Sequence, residues 1–425
     1  MDIFQNRNFV KLFFAALSSQ MGTTIGNMAF AFYLLDHFSE QPYYATLAEL
    51  MYSLPTIFVF FLVGVVADRL DRKKVAENCD WIRAILTIFF FFALFTNSLP
   101  LMFLILFLRS AVTKFFFPAE TSLVQGILRK DQFATAAGLN QMLFSMFMVF
   151  GVGLGALTYN WIGIHGAIFI DAVSFIISAL LIRACNIPQA ARLPNGCPKW
   201  KDLNMKSTLT DFKVGIQYII RNRLLSLIIF GFFVFGFIQG SFAVLPIFTM
   251  KYELAPAHYE AYASYFAISL GVGLLFGSVI STWLANKMNS YVLFIFPILM
   301  TSILVLLLGL TSNAWTFFIL SFFIGMCIGP VNVVIGDWMP KIVQPNFMGR
   351  VSGWIDPIMM FSQSLTLGCI TVLFPKVVSN VDLIYYGIAA IILAVFIFYA
   401  VLLPKKEAEV YTFSTQKNKE VYKAN

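Results

Sequence analysis

The sequence predicts an all-α integral membrane protein, with twelve transmembrane helices in two pseudo-symmetric six-helix bundles. Of its 425 residues 59% are hydrophobic and only 12% are charged, about half the charged fraction of a soluble domain. Apolar segments of 20 or more residues recur along the chain, each long enough to cross a hydrocarbon layer about 30 Å thick. These segments must be helical, because lipid offers no partner for a free backbone amide.

The twelve predicted spans follow one another with short polar connections, apart from one long polar stretch in the middle. We place them at about 9–36, 44–66, 75–97, 99–126, 131–158, 164–186, 222–250, 258–284, 290–311, 313–338, 344–374 and 381–404.

The basic residues predict that both termini lie in the cytoplasm. Twenty-four of the 29 Lys and Arg residues fall in segments on the same side as the N-terminus, whereas the opposite loops hold Lys251 and Lys376. This asymmetry is the positive-inside rule, so the net charge of +8 reports orientation and not nucleic-acid binding. The start, MDIFQNRN, has no basic region followed by a cleavable apolar core, so no removable signal peptide is expected.

The long polar stretch divides the chain into two halves that resemble one another. Gly64 of GVVADRLDRKK corresponds to Gly277 of GSVISTWLANK, and Pro118 corresponds to Pro330, at offsets of 213 and 212 residues. This near-constant offset predicts a duplicated six-helix unit, a common construction among secondary transporters. The expected organisation is an N-terminal bundle, a cytoplasmic central loop that includes an amphipathic helix, a C-terminal bundle and a cytoplasmic tail, at 1–186, 187–221, 222–404 and 405–425.

Several motifs carry a family resemblance. GVVADRLDRKK between the second and third predicted helices resembles the G-x-x-x-D-R-x-x-R-[RK]-[RK] signature of the major facilitator superfamily. CDWIRA, FLRSAVTKFFFPA, FIDAVSFIISAL and MGRVSG resemble the macrolide-efflux-type branch of its drug:proton antiporters. The resemblance implies the major facilitator fold and proton-coupled export.

The dense charges at 64–74 are expected to form a cytoplasmic gate. The resemblance places Asp68 against the start of the eleventh helix, near Arg350, where an anion gains from the helix dipole. Gly64 would let the helices approach closely. The predicted gate residues are Gly64, Asp68, Arg69, Arg72, Asp80 and Arg350.

Ionisable residues inside the spans are the candidates for proton coupling, because charge in a bilayer needs a cavity or a partner. Arg109 matches the basic residue that the branch carries in its fourth helix, where the resemblance implies proton transfer. Glu120 follows it by eleven residues, which places both on one helix face roughly 16 Å apart. Glu49 is the third candidate. Ion pairing that only holds the bundle together stays open for Arg109 and Glu120, and we favour such a structural role for Asp171.

Polar side chains on otherwise apolar helices are the candidates for substrate binding. Gln20, Thr24 and Asn27 form a stripe on the first helix, which we expect to face a cavity. For the single polar residues elsewhere, hydrogen bonding between helices is an equally good explanation. The remaining candidates are Lys114, Asn140, Gln239, Asn332, Trp354 and Asp356.

The function expected from these patterns is transport and not catalysis. No phosphate-binding loop or catalytic constellation occurs in the sequence, and we expect no cofactor and no metal site. The expected partners are protons, the lipid bilayer and a small molecule, for a monomer in a bacterial plasma membrane. The first alternative is an exporter of amphipathic drugs. The second exports an anionic metabolite such as a siderophore or opine-type metallophore, which Arg109 and Lys114 would favour. A membrane sensor would need a larger soluble domain than the tail provides.

Overall fold

A computed structural model gives the fold of residues 2–129, 132–193, 205–284, 287–343, 348–374 and 380–403. Its α-helices, in chain order, are α1 Arg7–His37, α2 Tyr43–Ser53, α3 Pro55–Arg69, α4 Arg72–Phe95, α5 Leu99–Ile127, α6 Phe133–Arg183, α7 Gln189–Arg192, α8 Met205–Arg221, α9 Arg223–Thr249, α10 Tyr259–Leu284, α11 Ser290–Leu308, α12 Ala314–Ile342, α13 Met348–Leu373 and α14 Val381–Leu402.

The predicted all-helical membrane class is confirmed. Within the described residues nine helices are long and apolar enough to cross a membrane by length and composition. The other predicted spans are the polar-striped α1, the interrupted pair α2 and α3, and the first part of α6, residues 133–148. Serines, threonines and amides lower the mean hydropathy of α1. The division at Pro55 leaves α2 and α3 with 11 and 15 residues, so each is shorter than a full membrane span.

Two of the predicted boundaries differ from the structure, each because of one residue. The second predicted span is divided at Leu54, since Pro55 begins α3 and has no amide hydrogen for the helical ladder. The fifth and sixth spans are joined in α6, where only Gly163 leaves the helical conformation, at φ 69° and ψ −177°. An L side chain rarely adopts this φ, so glycine permits the one-residue connection.

The chain divides into two compact units, Met1–Leu209 and Thr210–Asn425. In the first unit α1 packs along α6, while α4 lies between α5 and α6, and α2 and α3 lie against α5. Two apolar clusters hold this unit together. One surrounds Phe30, Phe90 and Phe103, and the other surrounds Leu12, Phe116 and Leu123.

In the second unit α9 packs against α13, α10 against α12, and α11 against both α12 and α14. A cluster around Leu225, Phe294 and Tyr399 fills its interior. The α10–α12 contact depends on glycines, because a Cβ at Gly277 would collide with the backbone of Met326 in α12. Small residues at such a crossing let two helix backbones touch, which is how helices gain packing energy in a membrane.

Candidate functional site

The interior of the first unit contains two ion pairs on three adjacent helices. Asp80 and Arg83 lie one turn apart in α4 and pair with each other, at 0% and 2% exposure. Asp80 also accepts a hydrogen bond from the Ser178 hydroxyl of α6 at 2.5 Å. The described partners of Asp80 therefore differ from the gate residues with which we had grouped it.

The second ion pair joins Arg109 of α5 to Asp171 of α6, which are 62 residues apart in sequence. Both are buried, at 5% and 0% exposure. The Phe175 ring lies beside both guanidinium groups, 4.5 Å from Arg83 and 5.6 Å from Arg109. A ring face attracts a cation at such distances, so Phe175 links the two pairs into one buried cluster.

Two glycines of α1 allow Asp171 to lie directly against that helix. A Cβ added to Gly26 would come within 2.8 Å of Asp171 Oδ2, and one added to Gly22 would collide with the Ser174 side chain. Larger residues at either position would separate α1 from α6. The location of the Asp171 carboxylate is thus fixed by Arg109 on one helix and by bare backbone on another.

Glu49 and Tyr52 of α2 lie next to this cluster. The Tyr52 phenol is within electrostatic range of Glu49, Arg109 and Asp171. Two buried polar atoms there have no hydrogen-bond partner among the described residues, the Tyr52 hydroxyl and Asp171 Oδ1. Glu49 is half-buried and forms no ion pair within the same part of the chain. The site therefore contains a donor and an acceptor that are both unused.

Glu120, the other predicted proton carrier, lies near the end of α5. It is 3% exposed, it has no ion-pair partner among the residues described, and its carboxylate interacts with the Thr121 hydroxyl. Arg109, eleven residues earlier, is paired with Asp171 instead. Lys114, which lies between Arg109 and Glu120 in the sequence, is half-buried.

The described part of the charged stretch holds the ends of three helices together. Asp71 accepts hydrogen bonds from the backbone amides of Lys73 and Lys74 at 3.0 and 3.3 Å, which caps α4, and it pairs with Arg192 of α7. Burial alone would raise the pKa of Asp71, but the Arg192 guanidinium and the two amides outweigh it and hold that pKa below its ordinary value. Asp71 thus ties α7 to the start of α4.

The Lys73 side chain connects the start of α4 to the end of α6. Its ammonium group donates to the carbonyls of Arg183 and Cys185 at 2.8 Å each, at the end of α6. Lys11 of α1 donates to the neighbouring carbonyl of Ala184 at 2.7 Å. Cations at a helix C-terminus satisfy its unpaired carbonyls and complement its dipole.

The other predicted gate residues can be placed only by their helices. Arg72 begins α4 and is half-buried. Gly64, Asp68 and Arg69 belong to α3 and Arg350 to α13, and their side chains lie outside the described part of the chain. The latch between Asp68 and Arg350 stays a prediction.

Of the three residues in the polar stripe on α1, Thr24 takes part in the packing of two helices. Thr24 donates to the Gln20 carbonyl at 2.8 Å, and its methyl group lies against Gly151 of α6. Gln20 and Asn27 are half-buried. Thr24 therefore contacts a neighbouring helix, and the cavity expected beside the stripe stays a prediction.

The remaining substrate candidates differ in exposure. Asn140 in α6 is half-buried, and Trp354 packs against the apolar cluster of the second unit. Gln239, Asn332 and Asp356 are exposed on α9, α12 and α13.

Sequence reasoning overlooked two features of the first unit. Tyr52 attracted no notice, because a tyrosine in an apolar helix is ordinary. The second feature is a cavity of about 700 Å³ that is lined by both His37 and His165. His37 is the last residue of α1, and His165 follows Gly163 in α6. His37 Nδ1 lies 3.1 Å from the Tyr33 carbonyl and the Phe95 ring lies 4.8 Å from that of His165. The sequence signal was the position of both histidines next to the ends of predicted spans, at 9–36 and 164–186.

Comparison with known proteins identifies the family. The Major Facilitator Superfamily sequence profile matches residues 12–367. An uncharacterized MFS-type transporter of Bacillus subtilis (strain 168), YkuC, is 64% identical over 416 residues, covering 98% of this chain and 97% of that protein. Macrolide efflux protein A of Streptococcus pyogenes is 24% identical over 360 residues, covering 82% and 85%, and its namesake in Enterococcus faecalis is 25% identical over 316 residues, covering 72% and 93%.

Solved structures agree on the fold. A mutant of the peptide transporter POT in complex with alafosfalin has a TM-score of 0.75 at 12% identity, with 93% of this chain and 94% of that chain covered. POT in complex with sulfate has a TM-score of 0.73 at 12% identity, with 94% of each chain covered. The predicted all-helical membrane fold of the major facilitator type is thereby confirmed. The chain belongs to the Major Facilitator Superfamily and is a multi-pass membrane transporter, not an enzyme.

Proposed function

We propose that this transporter is a proton-coupled antiporter that exports a small amphipathic molecule of the macrolide kind from the cytoplasm by alternating access. The observation that carries the proposal is the state of two carboxyl groups. Glu49 and Glu120 lie inside membrane helices and form no ion pair with any other described residue.

An ionised carboxylate at membrane depth costs at least a few kcal/mol unless a cation or water compensates it. Binding a proton removes that charge, and releasing the proton restores it. A carboxyl group without a fixed cation can therefore couple its protonation to a change in solvent access or to substrate binding. Arg109 would contribute to proton coupling in a different way from Glu49 and Glu120, because its own charge is already compensated by the Asp171 carboxylate.

The same ion pair bears on the chemical class of the substrate. Export of an anionic metabolite depended on two fixed cations, Arg109 and Lys114, but the Asp171 carboxylate neutralises the first. The carboxyl groups that remain unpaired favour neutral or cationic amphipathic molecules. Two relatives bear the name macrolide efflux protein, at 24% and 25% identity, which supports this class for the present chain.

Exposed polar residues in the second unit fit the same function. Gln239, Asn332 and Asp356 are exposed on membrane helices, and polar groups there are costly against lipid. We infer that they line the aqueous path of the substrate. The excess of basic residues at 69–74 and 183–223 supports a cytoplasmic location for both termini, in line with the positive-inside rule.

The test measures accumulation of radiolabelled erythromycin in bacterial cells that lack their own macrolide pumps. Cells that express the protein should accumulate less erythromycin, and an ionophore that dissipates the pH gradient should remove the difference. Glu49→Gln and Glu120→Gln should each abolish most of the pH-dependent efflux. Glu40→Gln, which changes an exposed residue of the same type, is the matched control at equal expression.

Accumulation that does not depend on the protein or on the pH gradient would contradict the proposal. In that case small molecules inside and outside the cells should be compared with and without the protein under metal limitation. An anionic metabolite trapped in cells without the protein would establish the dedicated exporter instead.

A further inference from the structure

The interior of the first unit contains a donor and an acceptor without partners, and this inference rests on the proton coupling proposed above. The Tyr52 hydroxyl of α2 and Asp171 Oδ1 of α6 are both buried, and neither has a hydrogen-bond partner among the described residues. Buried polar atoms are nearly always paired, and an unpaired one needs an explanation. One of these two atoms can donate a proton and the other can accept it.

The charges around these atoms do not balance. The groups that face the cluster are Glu49 from α2, Asp80 and Arg83 from α4, Arg109 from α5 and Asp171 from α6. The adjoining face of α1 contributes Gly22, Gly26 and the Ser19 hydroxyl, which hydrogen-bonds to Asp80. Three carboxyl groups thus meet two guanidinium groups. Because net charge is costly inside a membrane, the cluster reaches neutrality by holding one proton.

We propose that Tyr52 relays this proton between Glu49 and Asp171. In the forward step the Glu49 carboxylic acid gives its proton to the Tyr52 oxygen while the phenolic proton moves to Asp171 Oδ1. Glu49 becomes a carboxylate, Asp171 becomes a neutral acid, and Tyr52 is a neutral phenol before and after. The step changes the bond between Arg109 and Asp171 from an ion pair to a weaker hydrogen bond.

The backbone next to Tyr52 suits such a relay. Pro55 follows three residues later and divides α2 from α3, since proline supplies no amide to the helical ladder. The Tyr52 carbonyl is itself held by the Ser110 hydroxyl of α5 at 2.6 Å. A small movement of α2 at this break can open or close the gap between the hydroxyl and Asp171, while Asp171 stays fixed by Arg109 and the α1 backbone.

The experiment uses the full-length protein in proteoliposomes, with erythromycin as the probe. Two rates are measured, net efflux driven by a pH gradient and exchange of labelled for unlabelled erythromycin without a gradient. Exchange needs the substrate-bound conformations but no net proton transfer. Tyr52→Phe should slow net efflux by roughly tenfold or more and leave exchange within about twofold of the wild type.

Tyr44→Phe, which removes a hydroxyl from the same helix, is the matched control and should change neither rate. Loss of both rates in Tyr52→Phe would mean a structural role and would overturn the relay. Unchanged net efflux in Tyr52→Phe, with a wild type that responds to the gradient, would overturn the relay alone. A wild type that shows no gradient-driven efflux would overturn the proposed function and the relay with it.

Discussion

Gly26 of α1 lies directly against the Asp171 carboxylate of α6, so close that a single added carbon would come within 2.8 Å of Asp171 Oδ2. The carboxylate is held on its other side by Arg109. Because backbone and guanidinium confine it together, its position depends on α1, α5 and α6 at once. This arrangement makes Asp171 the point at which three helices of the first unit are coupled.

Gly26→Ala should therefore destabilise the protein. The new methyl group must push α1 away from Asp171, and overpacking of this kind costs about 1–3 kcal/mol. Thermal unfolding in detergent measures the effect. Gly368→Ala is the matched control, because a Cβ there meets nothing within 4 Å, and it should leave the unfolding temperature unchanged or raised. Equal unfolding temperatures for the two variants would show that α1 has room to adapt.

Asp171→Asn should destabilise the protein more strongly than Gly26→Ala. It leaves the Arg109 guanidinium buried without its carboxylate, and breaking one side of a buried pair costs about 3–5 kcal/mol. The double variant Arg109→Gln with Asp171→Asn should recover part of the loss, because no unpaired charge remains. Unfolding temperatures of the three variants form the measurement. A double variant no more stable than Asp171→Asn alone would contradict a direct pairing.

The fold could be predicted from the sequence because lipid imposes simple rules. Apolar length marks each span, and the spacing of Gly64 and Gly277 marks the duplication. The break at Pro55 and the continuity of α6 through Gly163 were missed. Proline is common in membrane helices without ending them, and a single left-handed glycine is a conformation that no apolar pattern encodes.

The candidate site could be predicted only residue by residue. Arg109, Glu49 and Asp171 attracted notice because each places charge in an apolar helix. Their pairing joins positions 62 residues apart, and the Asp71–Arg192 pair joins positions 121 residues apart. Such partners depend on how helices pack, which the periodicity of one helix does not reveal. Tyr52 became notable only through the missing partner of its hydroxyl.

The Asp71–Arg192 pair should make the attachment of α7 sensitive to acid. Because the pKa of Asp71 is lowered in the folded protein, its ionised form adds stability above the ordinary aspartate pKa of about 3.9. That contribution is lost as the pH falls through the lowered folded value. Protection of the α7 amides against hydrogen exchange, measured relative to their intrinsic exchange rates, should therefore fall below about pH 4.

Asp71→Asn should already exchange faster at neutral pH and respond less to acid, because it lacks the titrating group. The pair itself is worth about 0.2–1 kcal/mol since Arg192 is partly exposed, and loss of charge at the cap of α4 adds to it. Glu40→Gln is the control. An Asp71→Asn profile that overlays the wild type at every pH would contradict the assignment.

Asp68→Asn should impair transport without preventing membrane insertion. The substitution keeps the size of the side chain but removes the anion that the predicted latch places at the start of α13, where the dipole contribution is about 0.3–1 kcal/mol. Erythromycin efflux and the amount of protein in the membrane fraction are measured together. Full transport activity at normal membrane abundance would contradict the cytoplasmic latch.

The central claim, exchange of an amphipathic substrate for protons, is tested most directly by adding erythromycin to the purified protein in a weakly buffered detergent solution with a pH indicator. If substrate and proton compete for the same transporter, binding should release protons, and Glu49→Gln or Glu120→Gln should reduce the number released. Saturable binding of erythromycin with no change in pH would contradict proton-coupled antiport.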